Sequence, residues 1–329
     1  MKKTLRNVLL IALSLFMLSV CFTGCGKKEE IIVYTSIEDY RVEYMQNRLN
    51  EQFPDYKIKV EYVGSAEQAS KIKAAGTNVE CQITHDLEYA FAQSIAADGI
   101  LADLTDIADF SVFSEELVES KYYLPEVRNG GAIIINPTVL EREGLSAPTC
   151  YEDLLDPKFK GLISMPNPSS SGTGYMFLLN LVNEWGEDKA FEYFDALAEN
   201  VLSFTSSGSG PVNSLINEEV AVGLGMTSQA VTKINEGADL EIMFFEEGSP
   251  YSVYGQGIIA GNENNPAVVE VFKFIATTIT EEMNELHYPE KLFKDKSFKI
   301  NNFPENIVYG DMSNNTSARK DELLKKWNH

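Results

Sequence analysis

Basic residues are scarce. Among 329 residues, 27 Lys and Arg face 49 Asp and Glu, and the formal net charge is −22. Phosphate backbones and anionic membrane surfaces are gripped by stripes of Lys and Arg, so this composition argues against nucleic acid or acidic lipid as a partner. Three histidines exclude a histidine-rich metal cluster. The four cysteines form no C-x-x-C and no zinc spacing. No apolar run reaches the roughly 20 residues needed to span a bilayer as a helix. G-x-S-x-G, Walker A, H-E-x-x-H and G-x-G-x-x-G motifs are all missing. A Ser-His-Asp triad would have to rest on His85 or His287 without supporting context. The expectation is therefore a protein that is not an enzyme and carries no metal or cofactor. Hydrophobic residues at 44% and charged residues at 23% are ordinary for a globular chain, and the length suggests about two domains.

The first residues read as an export signal. Lys2, Lys3 and Arg6 precede the apolar run Val8 to Phe22, which has the length of a secretion-signal core. Phe22-Thr23-Gly24-Cys25 then resembles a bacterial lipobox. That resemblance implies removal of residues 1–24, a diacylglycerol on Cys25, and a tether over 25–30 holding the protein at the outer face of the cell membrane. A plain secretory signal is the competing reading. Cys81 and Cys150 remain, open to pairing or to separate burial.

Periodicity then predicts alternating elements. Strands are expected at 31–35, 57–63 and 79–84, with helices at 36–53, 66–75 and 89–97 between and after them. Further strands are expected at 131–135, 162–165, 220–226, 240–245 and 256–260. Helices are expected at 174–185, 211–217, 229–235 and 266–278, and a short Lys-rich helix near the end. This β-α alternation favours parallel or mixed sheets covered by helices, arranged as two α/β lobes. Such sheets bind ligands beyond the carboxyl ends of their strands.

Several strands end there in Ser, Thr and Gly. SSSGTGY at 169–175 precedes a helix. The first N–H groups of a helix lack internal partners, and glycines admit a ligand close to the backbone. Ser171, Gly172, Thr173 and Gly174 thus form a candidate anion seat, where a plain N-cap would need one hydroxyl. Ser207, Gly208 and Ser209, ahead of Pro211, repeat the device, with a flexible turn as the alternative. Thr35-Ser36 and Thr227-Ser228 have the same placement and could equally be helix caps. Asp86 or Glu88 would neutralise a cationic group on a ligand, and His85 is either structural, a ligand to a metal or a base. Tyr254 and Tyr251 flank a glycine-rich strand entry and would line a cleft. Arg128 could pair with an anion. Tyr122-Tyr123 could hold ferric iron, against the reading of one ring in the core and one at the surface.

The stretch 123–175, with GAIIINP, APTCYEDLLDPKFKG and SGT, resembles the solute-binding proteins of ABC importers. The subgroup is the one for ferric iron, 2-aminoethylphosphonate and sugar phosphates. The resemblance implies a two-lobed periplasmic-binding-protein-like (type II) fold, with lobe one at 31–126 plus 251–305 and lobe two at 127–250 plus 306–329. It implies hinge closure on a solute between the lobes, delivery to permease subunits, and a monomer. Ferric members carry adjacent tyrosines where this chain has Thr227-Ser228-Gln229. The hydroxyls, glycines and helix starts suit a small anionic solute, phosphonate or phosphorylated, with a ferric receptor as the alternative.

Overall fold

The computed structural model describes residues 28–289 and 292–329. The predicted signal, Cys25 and residues 26–27 of the tether lie outside the described residues. Among the described residues there are nine strands: β1 (Glu30–Thr35), β2 (Lys57–Tyr62), β3 (Ile83–Glu88), β4 (Leu124–Ile135), β5 (Ile163–Pro166), β6 (Val201–Thr205), β7 (Val222–Met226), β8 (Glu241–Met243) and β9 (Tyr251–Ile258). The α-helices are α1 (Asp39–Gln52), α2 (Ser65–Ala75), α3 (Tyr89–Ala97), α4 (Pro137–Glu143), α5 (Gly172–Trp185), α6 (Glu187–Ala198), α7 (Gly210–Ile216), α8 (Thr227–Asn235), α9 (Pro266–Phe274), α10 (Thr280–His287) and α11 (Ser317–Leu324).

Strand order is β2-β1-β3-β9-β4-β7-β5-β6, with β8 on β4. The 12-residue β4 joins two sheets. Its first part, Leu124 to Gly130, runs antiparallel to β9, and its last part, Gly131 to Ile135, runs antiparallel to β7 and β8. The sides differ in what they bury. Ile31, Val33 and Ile83 pack with Met45 and Leu49 of α1 and Phe272 of α9. Tyr175 and Phe177 of α5 pack with Phe194, Leu224 and, from the C-terminus, Leu323 and Trp327. The first side comes from residues before β4 and after β9, and the second from residues between them plus the tail, so two apolar groups flank the crossing strands.

Three expectations needed correction. The third strand is 83–88, not 79–84. Residues 76–78 form a 3₁₀ turn, and the Gln82 side chain, not its backbone, accepts from the Ile32 amide. The strand that does form, ITHDLE, is polar yet wholly buried, so a search for an apolar run passes over it. The helix expected at 266–278 is interrupted, since Ile275–Ile279 is a π turn and the Thr280 hydroxyl donates to the Ile275 carbonyl five residues back. Helices α4 and α6 and strand β6 formed where no element was expected. Cys81 and Cys150 are both free.

Candidate ligand-binding site

A cleft opens where the carboxyl ends of β1 and β3 face the starts of α5 and α7. It encloses about 440 Å³ of space including its mouth. Tyr62 from β2 and Ser207 both line it, and a Cβ built on Gly64 would lie 3.8 Å from the Ser170 carbonyl. The cleft is therefore narrow.

One wall is built on the α1 entry and β3. Ser36 donates to the Asp86 carbonyl and Oδ2, each at 2.6 Å. Asp86 has φ +52°, left-handed for a non-glycine residue, a conformation that costs roughly 1–2 kcal/mol. The β3–β9 register shifts between Thr84 and Leu87. This bulge turns the Asp86 carboxyl toward the cleft rather than along the ladder, as bulges beside binding sites often do.

Arg41 supplies the positive charge. It is 2% exposed and lines the cleft. One guanidinium nitrogen reaches Glu38 Oε2 at 3.1 Å and the Tyr288 hydroxyl at 2.6 Å, and another reaches Glu126 Oε1 at 3.0 Å. Its Nε has no hydrogen-bond partner among the described residues. Burial opposes its charge, but Tyr288, Glu38 and Glu126 more than offset this and hold the guanidinium protonated. Burial raises the Asp86 pKa well above the usual carboxylate range, with Glu126 adding repulsion. Glu126 is raised by burial too, against Arg41. These two carboxyls resist ionising together, so the cleft is less negative than a residue count implies. His85 is pushed down to about 3 by burial and by Arg41, and its imidazole is neutral.

The opposite wall is the pair of serine-glycine turns. Ser171 caps α5 and accepts from the Gly174 amide. The Gly172 and Thr173 amides, in the first turn, have no carbonyl of their own helix to donate to. A Cβ on Gly208 would collide with Thr173 Oγ1 and come within 3.4 Å of Ser171 Oγ, so the two turns lie against each other. Gln229 donates to the Ser209 carbonyl at 3.2 Å, which secures the second turn to α8. The Tyr254 hydroxyl lies against Gly172, where a Cβ would come within 2.6 Å of it, and Met226 and Asn129 also line the cleft.

Of the residues singled out from sequence, Ser36, Asp86, Ser171, Gly172, Thr173, Ser207, Gly208, Ser209 and Tyr254 line this cleft. The others lie elsewhere. Thr35 is 2.9 Å from His85 Nδ1 in the interior. Gly174 sits against the Pro166 carbonyl, where a Cβ would clash with backbone, so close packing is what demands a glycine there. Thr227 is buried behind the base, and Ser228 donates to Asn129 Oδ1 at 3.3 Å, touching the cleft only through Asn129. Glu88 is buried against Lys320. Tyr123 is edge-on to Tyr89 and Tyr122 lies beneath Lys121, both away from the cleft. Arg128 is sandwiched between Tyr251 and Tyr309, 4.7 and 4.1 Å from the ring centres. His287 pairs with Thr232, so neither inner histidine meets a serine hydroxyl.

Sequence reasoning missed Arg41, Glu38, Tyr62 and Asn129. For Arg41 a signal existed, because positions 41, 45 and 49 form the buried stripe of α1. An arginine on that stripe must be held by partners from elsewhere in the fold.

Residues 87–291 match the family model described as bacterial extracellular solute-binding protein. An uncharacterized Haemophilus influenzae protein is 25% identical over 281 residues, 81% of this chain and 78% of that one. A putative 2-aminoethylphosphonate-binding periplasmic protein of Salmonella typhi is 27% identical over 157 residues, 47% of this chain and 44% of that one. Among solved structures, the periplasmic binding protein AfuA of Actinobacillus pleuropneumoniae, with fructose-6-phosphate bound, superposes with a TM-score of 0.78 at 23% identity, covering 92% of this chain and 98% of that one.

Proposed function

Because the chain belongs to the bacterial extracellular solute-binding proteins, we propose that its cleft captures a small phosphonate or phosphorylated solute and presents it to the permease of an ABC importer. The observation that carries this reading is the convergence of Arg41, with its unpartnered Nε, and the capped start of α5 on one narrow cleft. A guanidinium and free backbone amides together suit a tetrahedral oxyanion. Asp86 and Glu38, on the same cleft, would accept hydrogen bonds from an amine or hydroxyl at the other end of the solute. The names of the Salmonella relative and of the sugar-phosphate complex support the same class. The tyrosine pair that suggested iron lies outside the cleft, so the ferric alternative loses the residues that motivated it.

In this reading the halves 31–126 plus 251–305 and 127–250 plus 306–329 hinge about β4 and β9, and Cys25 anchors the protein by lipid as a monomer. Calorimetry against 2-aminoethylphosphonate, inorganic phosphate and fructose-6-phosphate tests the ligand class. Saturable binding of at least one is expected, and no heat from any of them at millimolar concentration would overturn it. Labelled fatty acid incorporation that disappears in Cys25→Ser is the result expected for the anchor.

A further inference from the structure

Glu88 ends β3 and is fully buried, with Lys320 of α11 1% exposed beside it. The ammonium is 2.5 Å from Glu88 Oε2. Ser252 of β9 and Asn315 of the tail each donate to the other oxygen at 2.7 Å. Burial works against the Glu88 charge, but Lys320, Ser252 and Asn315 together hold the carboxyl below its usual range. Burial pulls the Lys320 pKa down, and Glu88 opposes that.

The placement of this pair is unusual for structural glue. A Cβ built on Gly172 would lie 3.3 Å from Glu88 Cβ and Cγ and 2.6 Å from the Tyr254 hydroxyl. Glu88 therefore lies directly against the first residue of the turn that lines the cleft. The ammonium also sits 3.6 Å from the centre of Phe91, on α3, and 4.3 Å from that of Tyr175, on α5. Phe91 packs with the group around Tyr34 and Ile95, whereas Tyr175, Leu323 and Trp327 share the other core. One lysine from the last helix thus touches both sides of the crossing strands.

We propose that Lys320 is a positioning residue for the cleft, which fixes Glu88 beneath the start of α5 and ties the first half of the molecule to the serine-glycine turn of the second. This inference rests on where the cleft is and not on which solute fills it.

Amide hydrogen exchange on the ligand-free protein tests it. The reporters are Tyr175, Met176 and Phe177, near the start of α5, with Val222 to Met226 of β7 as the control within the same core. In Lys320→Met the α5 amides should exchange about 10-fold faster or more, with β7 unchanged, since local opening is read residue by residue. The double variant Glu88→Gln with Lys320→Met removes both charges and should show the same local loss. If exchange rises equally at both places, or not at all, Lys320 contributes only general stability and the proposal fails. It also fails if the double variant restores the native pattern, because the defect then lay in an unpaired buried charge. Should the single variant not fold, the neutral double variant still gives the deciding comparison.

Discussion

A single arginine sets the character of the cleft. Arg41 lies among Glu38, Glu126 and Tyr288, and those groups orient the guanidinium as well as holding its charge. A lysine would keep the charge but lose the planar fork. Arg41→Lys is expected to weaken binding of an anionic solute by about 10- to 100-fold, measured by calorimetry. His85 gives a second residue-level prediction. Its pKa near 3 in the fold compares with about 6.5 for a free histidine. A depressed pKa means its contribution is complete above about pH 6.5 and is lost as pH falls toward 3. Each pH unit in that window costs at most about 1.4 kcal/mol. Denaturant titrations at several pH values should show a flatter acid limb in His85→Gln. Asp86 and Glu126 have raised values and act with the opposite sign, their contribution being lost as pH rises through the folded pKa.

Turns and bulges, not whole strands or helices, make the site. The 206–209 loop seats on the start of α5 because Gly208 leaves no Cβ to strike Thr173. Gly208→Ala is expected to destabilise the protein by about 1–3 kcal/mol and to weaken solute binding, with calorimetric unfolding and ligand titration as the readouts. The SSSGTGY turn was legible as a helix start because capping chemistry is local, and SSGSG because Pro211 marks a first helical turn, although the Ser209 side chain makes no cap. The β3 bulge was not, since nothing within ITHDLE signals that Asp86 will adopt φ +52° or that its neighbours will bury it. The π turn at 275–279 was hidden for a related reason. Ile275, Ala276 and Ile279 are all buried and keep an apolar periodicity close to that of an α-helix, while the Thr280 hydroxyl beside the turn accepts from Gln256 on the distant β9 at 3.0 Å.

On the scale of the whole molecule, β4 and β9 run between two apolar cores, and the cleft takes its lining from the ends of β1 and β3 and from the turns before α5 and α7. A solute that binds only the folded protein must stabilise it. At a free concentration of 100 times Kd the gain is about 2.7 kcal/mol, visible as a rise in Tm; the 10- to 100-fold weaker binding of Arg41→Lys cuts that gain to about 0.4–1.4 kcal/mol at the same ligand concentration.

The sequence by itself determined the alternation of strands and helices, the cap that begins α5 and the proline in the first turn of α7, and the connector that marks the family. Each of these depends on residues within a few positions of one another. Only the tertiary structure decided that Ser171 and Gly208 are neighbours, that Arg41 and not Arg128 faces the cleft, and that Lys320 occupies Glu88. Charges buried far apart in sequence find their partners only when the chain is packed, and no local pattern records which partner that will be.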